Sequence, residues 1–213
     1  MFASLLSLSR ADLKTLKVTD NYSIHRIVYN LFDDVRTEEE KRASVPSGLL
    51  YADKGGDFNK REILILSDRP PKKPEVGILR FKTIDEAFLT HTHYRFEVIV
   101  NPTKRDRKTG KLIAIRGRNV IADWFITKAP TSWGFAIRPE SFLVEEMWVN
   151  QFHKSNHQIV QSGTRLSGEL LVKDHTLFIN SFKRGIGRGR AFGFGLLQIT
   201  PLTNKINKDS FYE

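Results

Sequence analysis

Tyr22, His25 and Tyr29 set one imidazole between two phenols over eight residues of sequence. At about 100° per residue on a helix, the three side chains fall within roughly 60° of one another. They lie away from a stripe of Ile24, Ile27, Val28 and Leu31. An imidazole titrates near neutral pH, so it can give or take a proton under ordinary conditions. Aromatic rings, with Arg26 at the edge of the patch, can stack on splayed bases or pair with phosphate. On residue types alone such a face is most often plainly solvated; where it meets RNA, the chemistry open to it is proton transfer at a phosphate attacked by its own neighbouring ribose 2′-hydroxyl. Such intramolecular attack needs little beyond positioning and a proton carrier.

A second concentration of useful residues is FKRGIGRGRAFGFGLLQITPL, with glycines at 185, 187, 189, 193 and 195. Glycine lets backbone approach a ligand closely, and Lys183, Arg184, Arg188 and Arg190 add cations that suit phosphate. A nucleoside-triphosphate loop would end in Gly-Lys-Ser/Thr, whereas this one reads Gly189-Arg190-Ala191. A dinucleotide turn needs a strand ahead of it, and here the pattern ahead is helical. Two basic turns complete the set. Lys104, Arg105, Arg107, Lys108 and Lys111 crowd one, with Arg116 and Arg118 on its return; His153, Lys154 and His157 mark the other. His91 and His93 stand two apart on a strand with no third ligand at suitable spacing, so they read as structural. No cluster has metal-ligand spacing, and neither a metal nor a cofactor is expected.

The whole chain is basic. Its 213 residues carry 34 Lys and Arg against 24 Asp and Glu, a formal charge of +10. That surplus favours a polyanionic partner, because each phosphate neutralised releases condensed counterions. Cysteine is absent, which removes disulfides, thiolate metal sites and cysteine nucleophiles together. The opening MFASLLSLSRADLK reads as a first strand rather than a signal peptide. No apolar run approaches the roughly 20 residues that span a bilayer. A cytoplasmic protein without membrane contact is the expectation.

The patch must be carried by a helix over 20–32, capped by Thr19 or Asp20. Strands are expected at 3–9, 48–52, 61–67, 77–84 and 93–101. DDVRTEEEKR between them reads as a solvated excursion and SDRPPKKPEVG as irregular. After 101 come a basic hairpin, a helix over 119–128 with Val120, Ile121, Trp124 and Phe125 as its apolar side, and two long extended segments. A helix from Asp174 to Gly185 and a closing strand GLLQITPL follow, and the tail TNKINKDSFYE is polar and loose. This order suggests an α+β protein of two tandem ferredoxin-like (RRM-like) domains, residues 1–90 and 91–213, the second ending in the glycine-rich loop. One larger α+β domain is the alternative.

A helix followed by GIGRGRAFGFGLLQITPL near the C-terminus closely resembles the terminal loop of CRISPR repeat-processing nucleases, most of all the CasE type. YxxHR at 22–26, the strand and loop RFEVIVNPTKR and the Trp-Phe helix after it match in the same order, so the resemblance spans most of the chain. It implies a metal-independent endoribonuclease that cuts at the 3′ base of a CRISPR repeat stem-loop. Cleavage would leave a 5′-hydroxyl and a 2′,3′-cyclic or 3′ phosphate. The resemblance makes His25 the proton carrier and Tyr22 its catalytic companion. The RNA-binding set it suggests is Arg26, Tyr29, Lys104, Arg105, Lys154, His157, Lys183, Arg184, Arg188 and Arg190, with the hairpin of Lys154 and His157 gripping the stem. The partners implied are the repeat RNA and the subunits of the type I-E Cascade complex. Relatives often carry a lysine five residues beyond the histidine, where this chain has Asn30; Arg26 or a cation from elsewhere must then meet the transition-state charge. A binding-only RNA module and a backbone subunit of a CRISPR ribonucleoprotein are the rival readings.

Overall fold

In a computed structural model the chain forms two antiparallel sheets with helices on their outer faces. The structure describes residues 1–43, 45–57, 59–154 and 157–202; of residues 150–154 and 157–160 it describes the backbone alone. The first sheet follows β1 (Phe2–Ser9), α1 (Arg10–Thr15), α2 (Asn21–Asn30), α3 (Glu38–Arg42), β2 (Leu49–Gly56), β3 (Lys60–Ser67) and β4 (Ile78–Thr83). The second uses β5 (His93–Val100), then a ribbon of β6 (Thr103–Arg105) and β7 (Leu112–Ala114), and α4 (Arg118–Trp133). β8 (Phe135–Ile137), β9 (Leu143–Lys154), β10 (His157–Val172), α5 (His175–Arg184) and β11 (Gln198–Pro201) complete it.

Strand order in the first sheet is β2-β3-β1-β4, and in the second β11-β5-β10-β8, with β9 on β10. Numbered within each sheet, and with β9 set aside, both read fourth, first, third, second: the ferredoxin-like arrangement, twice. The first sheet lacks a second crossover helix. Its place is taken by the proline-rich segment after β3, which the Lys72 amide pins to the Leu31 carbonyl at 2.7 Å.

Alternation explains the layers. Leu6 and Leu8 of β1 and Ile63 and Ile65 of β3 point to one face, where Ile24 and Val28 of α2 and Leu31 at its C-cap bury against them. Leu50, Ala52 and Leu66 point to the other face and join the core of the second sheet. There, Ile121, Phe125, Ala129 and Trp133 of α4 recur every four residues and pack beside Phe178 and Phe182 of α5. Glu97 of β5 ties the sheets together: it accepts from Lys54 of β2 at 2.7 Å and from Arg165 of β10 at 2.7 Å. Burial alone would raise the Glu97 carboxyl, but the bond and charge of Lys54, with Arg165, outweigh it and hold it below the usual range.

Three expectations need correction. The acidic segment 33–42 is not loop throughout. Thr37 and Glu40 form a capping box, in which each side chain bonds the other's backbone N–H, and α3 follows. Helix α4 does not stop at Lys128 but continues through Pro130 to Trp133. Proline inside a helix costs about 3 kcal/mol; burial of Ala129 and of the Trp133 ring, 5.0 Å from Phe125, offsets it. The closing strand is four residues, since Leu196 and Leu197 enter the core ahead of it. The tail from residue 203 lies outside the described residues.

Candidate nucleic-acid interface

Asp20 caps α2 by accepting from the Ser23 amide at 2.7 Å, which fixes the start of the helix that carries the patch. Tyr22, His25 and Tyr29 do share a face. His25 stacks on Tyr22 with centroids 5.7 Å apart and a 16° tilt, and its ring lies 4.1 Å from Tyr29. That face is not a solvated one. The glycine-rich loop lies over it, placing Phe192 5.7 Å from the imidazole and the Ala191 carbonyl oxygen 2.6 Å from His25 Nδ1.

A carbonyl oxygen only accepts, so Nδ1 must carry the proton and donate it. The contact therefore selects the tautomer. Nδ1 stays protonated, and Nε2 is the nitrogen whose protonation can change. The Tyr51 hydroxyl of β2 donates to the same carbonyl at 3.3 Å. Burial, foremost, pushes the Tyr51 phenol above its usual range, so it remains a donor. Tyr29 reaches the Ser47 hydroxyl at 3.0 Å. Arg26 is exposed, its guanidinium carbon 5.7 Å from the Tyr22 ring centroid. Asn30 is exposed at the helix end.

The loop holds its shape through backbone that only glycine tolerates. Its ends meet where the Ile186 amide donates to the Gly195 carbonyl at 2.9 Å, and the Gly195 amide in turn reaches the Ile99 carbonyl at 2.7 Å. Gly195 has φ +83°, and a Cβ there would sit 2.2 Å from the Ile186 oxygen. Gly193, at φ +85°, lets the loop pass the Tyr51 ring, which a Cβ would meet at 2.9 Å.

The cations separate into groups. Lys183 and Arg184 are exposed on the last turn of α5, and Arg188 is exposed on the loop. Arg190 is half-buried and donates to the Arg184 carbonyl at 2.7 Å, so it braces loop against helix. Lys104 and Arg105, on β6, face a groove that Arg188 also borders. The side chains of Lys154 and His157 lie outside the described residues; their backbones pair across the β9–β10 hairpin. His91 packs edge-on against Tyr94, 6.0 Å away, and His93 Nδ1 meets Thr92 Oγ1 at 3.1 Å. Among the described residues, no three His, Cys, Asp or Glu side chains form a metal-binding group, and no helix is long and apolar enough to cross a membrane.

Sequence reasoning misses Tyr51, Ser47, Phe192 and the Ala191 carbonyl. Tyr51 reads as an ordinary strand residue, and a backbone oxygen 166 positions from His25 leaves no trace in spacing. The alternation of Phe with Gly at 192–195 is the one available hint.

Two ferredoxin-like halves, with a glycine loop from the second seated over a histidine helix of the first, define the class of fold. The chain belongs to the family described as CRISPR associated protein, whose model matches residues 1–201. Among solved structures it is similar to CRISPR endoribonuclease Cse3 bound to 19-nucleotide RNA. Identity is 19%, the TM-score 0.78, and coverage 94% of this chain and 100% of that one. Thermus thermophilus Cse3, bound to an RNA representing a pre-cleavage complex, is 19% identical with a TM-score of 0.76, covering 94% and 98%. A chain of a CRISPR RNA-guided surveillance complex in a pre-nicking state is 19% identical with a TM-score of 0.73, covering 95% and 100%. At such identities the likeness establishes the fold. No curated protein matches the chain.

Proposed function

We propose that this protein is a metal-independent endoribonuclease that cuts the stem-loop of CRISPR repeat transcripts and keeps the 3′ hairpin. The observation that carries the reading is the His25–Ala191 hydrogen bond, which holds the imidazole in one tautomer beneath a loop bearing Arg188. In the reaction the 2′-hydroxyl loses its proton and its oxygen attacks the adjacent phosphorus. The bond to the 5′-oxygen breaks, that oxygen gains a proton, and a 2′,3′-cyclic phosphate remains. Nε2 of His25 serves at one of the two proton transfers, and Tyr22 positions or assists. The cation at the phosphate is Arg26 or one borne by the RNA-facing loops.

The similar solved chains were determined with RNA or within a surveillance complex. On that likeness the product-bound protein takes its place in a type I-E Cascade complex, in the cytoplasm. The units doing this are residues 1–90, which present α2, and 91–213, which supply the loop and the basic hairpins. The rival is a non-catalytic RNA-binding subunit; Asn30, where the resembled family often has lysine, bears on which cation meets the phosphate and not on His25.

The deciding experiment is cleavage of a repeat stem-loop in excess EDTA. Full cleavage with 5′-hydroxyl ends is expected, because 2′-hydroxyl attack needs positioning and proton transfer alone. Activity that disappears with chelator and returns with Mg²⁺ would refute it; no cutting under any condition leaves the binding subunit. The two loop arginines are expected to differ. Arg188→Ala should reduce the slope of log affinity against log salt by about one counterion unit. Arg190→Ala should lower thermal stability instead, since it removes the donor to Arg184. Equal effects on the salt slope would show that Arg190 also reaches phosphate.

A further inference from the structure

The β6–β7 ribbon, three residues per strand, belongs to neither large sheet and among the described residues pairs only with itself. Between it and α4 runs an open groove of about 720 Å³. That is the size of a small-ligand cleft, about 300–1,000 Å³, which suits a nucleotide or two and not a helix. Lys104, Arg105, Lys128 and Arg188 line it, opposed by Asp123. The ribbon's own acid is engaged within its turn: Asp106 accepts from the Thr109 amide at 2.7 Å and from the Lys108 amide at 3.0 Å. Trp124 also lines the groove, half-buried, and Trp133 backs it edge-on at 6.0 Å and 78°. Leu112 and Val120 stay 47% and 52% exposed beside it.

A fixed indole, exposed apolar side chains and four cations against one acid match what a single strand offers. Its phosphates need cations and its unpaired bases need flat apolar surface. A duplex hides its base faces and would leave the indole unused. Arg188 joins this groove to the loop over His25: it stands three positions from Ala191, a span of at most about 11 Å. We infer that the groove binds a single-stranded segment flanking the cut, with one base stacked on Trp124. The inference rests on the proposed RNA-processing reading for its ligand, but its test does not depend on cleavage.

The probe is a fluorescently labelled single-stranded oligoribonucleotide, titrated by anisotropy against the full chain. Binding is expected. Lys128→Ala and Trp124→Leu should each weaken it, the second by at least about five-fold, and Trp124→Phe should restore much of the loss by keeping a ring. A stem-loop carrying a flank on its 5′ side, and another carrying one on its 3′ side, then identify the segment. The flank that gains affinity over the bare stem-loop should lose that gain in Trp124→Leu. Equal oligonucleotide binding by wild type and by both variants, with circular dichroism unchanged, would overturn the inference, as would a flank gain that survives them. If stem-loops fail to bind while the single strand still needs Trp124, the groove stands and the repeat-processing reading falls.

Discussion

Replacing His25 with alanine is expected to slow single-turnover cleavage of a repeat stem-loop by about a hundred- to ten-thousand-fold, the range that positioned proton transfer supplies. The structure changes what else the variant does. A surface substitution usually stays within about 0.5 kcal/mol, but His25 is half-buried and donates to the Ala191 carbonyl. Losing that bond should cost about 0.5–1.5 kcal/mol, with Tyr51 still donating to the carbonyl. Thermal unfolding and RNA affinity must therefore be measured beside the rate. Near-normal affinity with a collapsed rate locates the defect in chemistry. His25→Gln separates the roles further, because an amide can still donate to a carbonyl but cannot carry a proton near neutral pH. Near-normal cleavage by either variant would remove α2 from the active site.

Much of the fold is legible in the sequence because it follows local pattern. Ile24, Val28 and Leu31 recur at helical spacing and do bury against the first sheet. Asp174 and Gly185 bound α5 as their cap chemistry requires. Where local rules compete, packing decides: Pro130 marks a helix end by propensity, yet Trp133 holds the helix past it. The acidic run at 33–42 hides a capping box in plain view, since its charge draws attention from Thr37 and Glu40. Contacts across the chain are a different matter. Glu97 meets Lys54 across 43 positions and Gln198 across 101, and no periodicity encodes either.

The candidate site divides in the same way. Spacing on one helix brings Tyr22, His25 and Tyr29 together, and the structure keeps them together. Helical geometry cannot say what covers that face, so the polar side of α2 reads as solvated when the loop in fact seats on it. The consequence is functional. Any RNA contact that moves the loop moves Ala191, and with it the atom that fixes the His25 tautomer. Tyr51 shares that oxygen and touches the loop at Gly193, so it steadies the arrangement from the opposite side.

A repeat RNA with a single 2′-deoxy substitution, on the nucleotide 5′ to the cut, is expected to remain uncut by the wild-type protein. The argument is independent of which residue carries the proton. If the 2′-oxygen is the nucleophile, deleting it removes the only route to a cyclic phosphate, and no side chain can compensate. The loss should exceed that of His25→Ala, because a missing proton carrier can be replaced in part by water whereas a missing nucleophile cannot. Affinity should hardly change, as phosphate contacts carry most of the binding and all of them are retained. The measurement is therefore a pair: equilibrium binding of the deoxy RNA, and its cleavage over hours at saturating protein. Tight binding without product is the expected result. Product from the deoxy RNA would make water the attacking group, and the proton-transfer roles of His25 and Tyr22 would have to be abandoned with it.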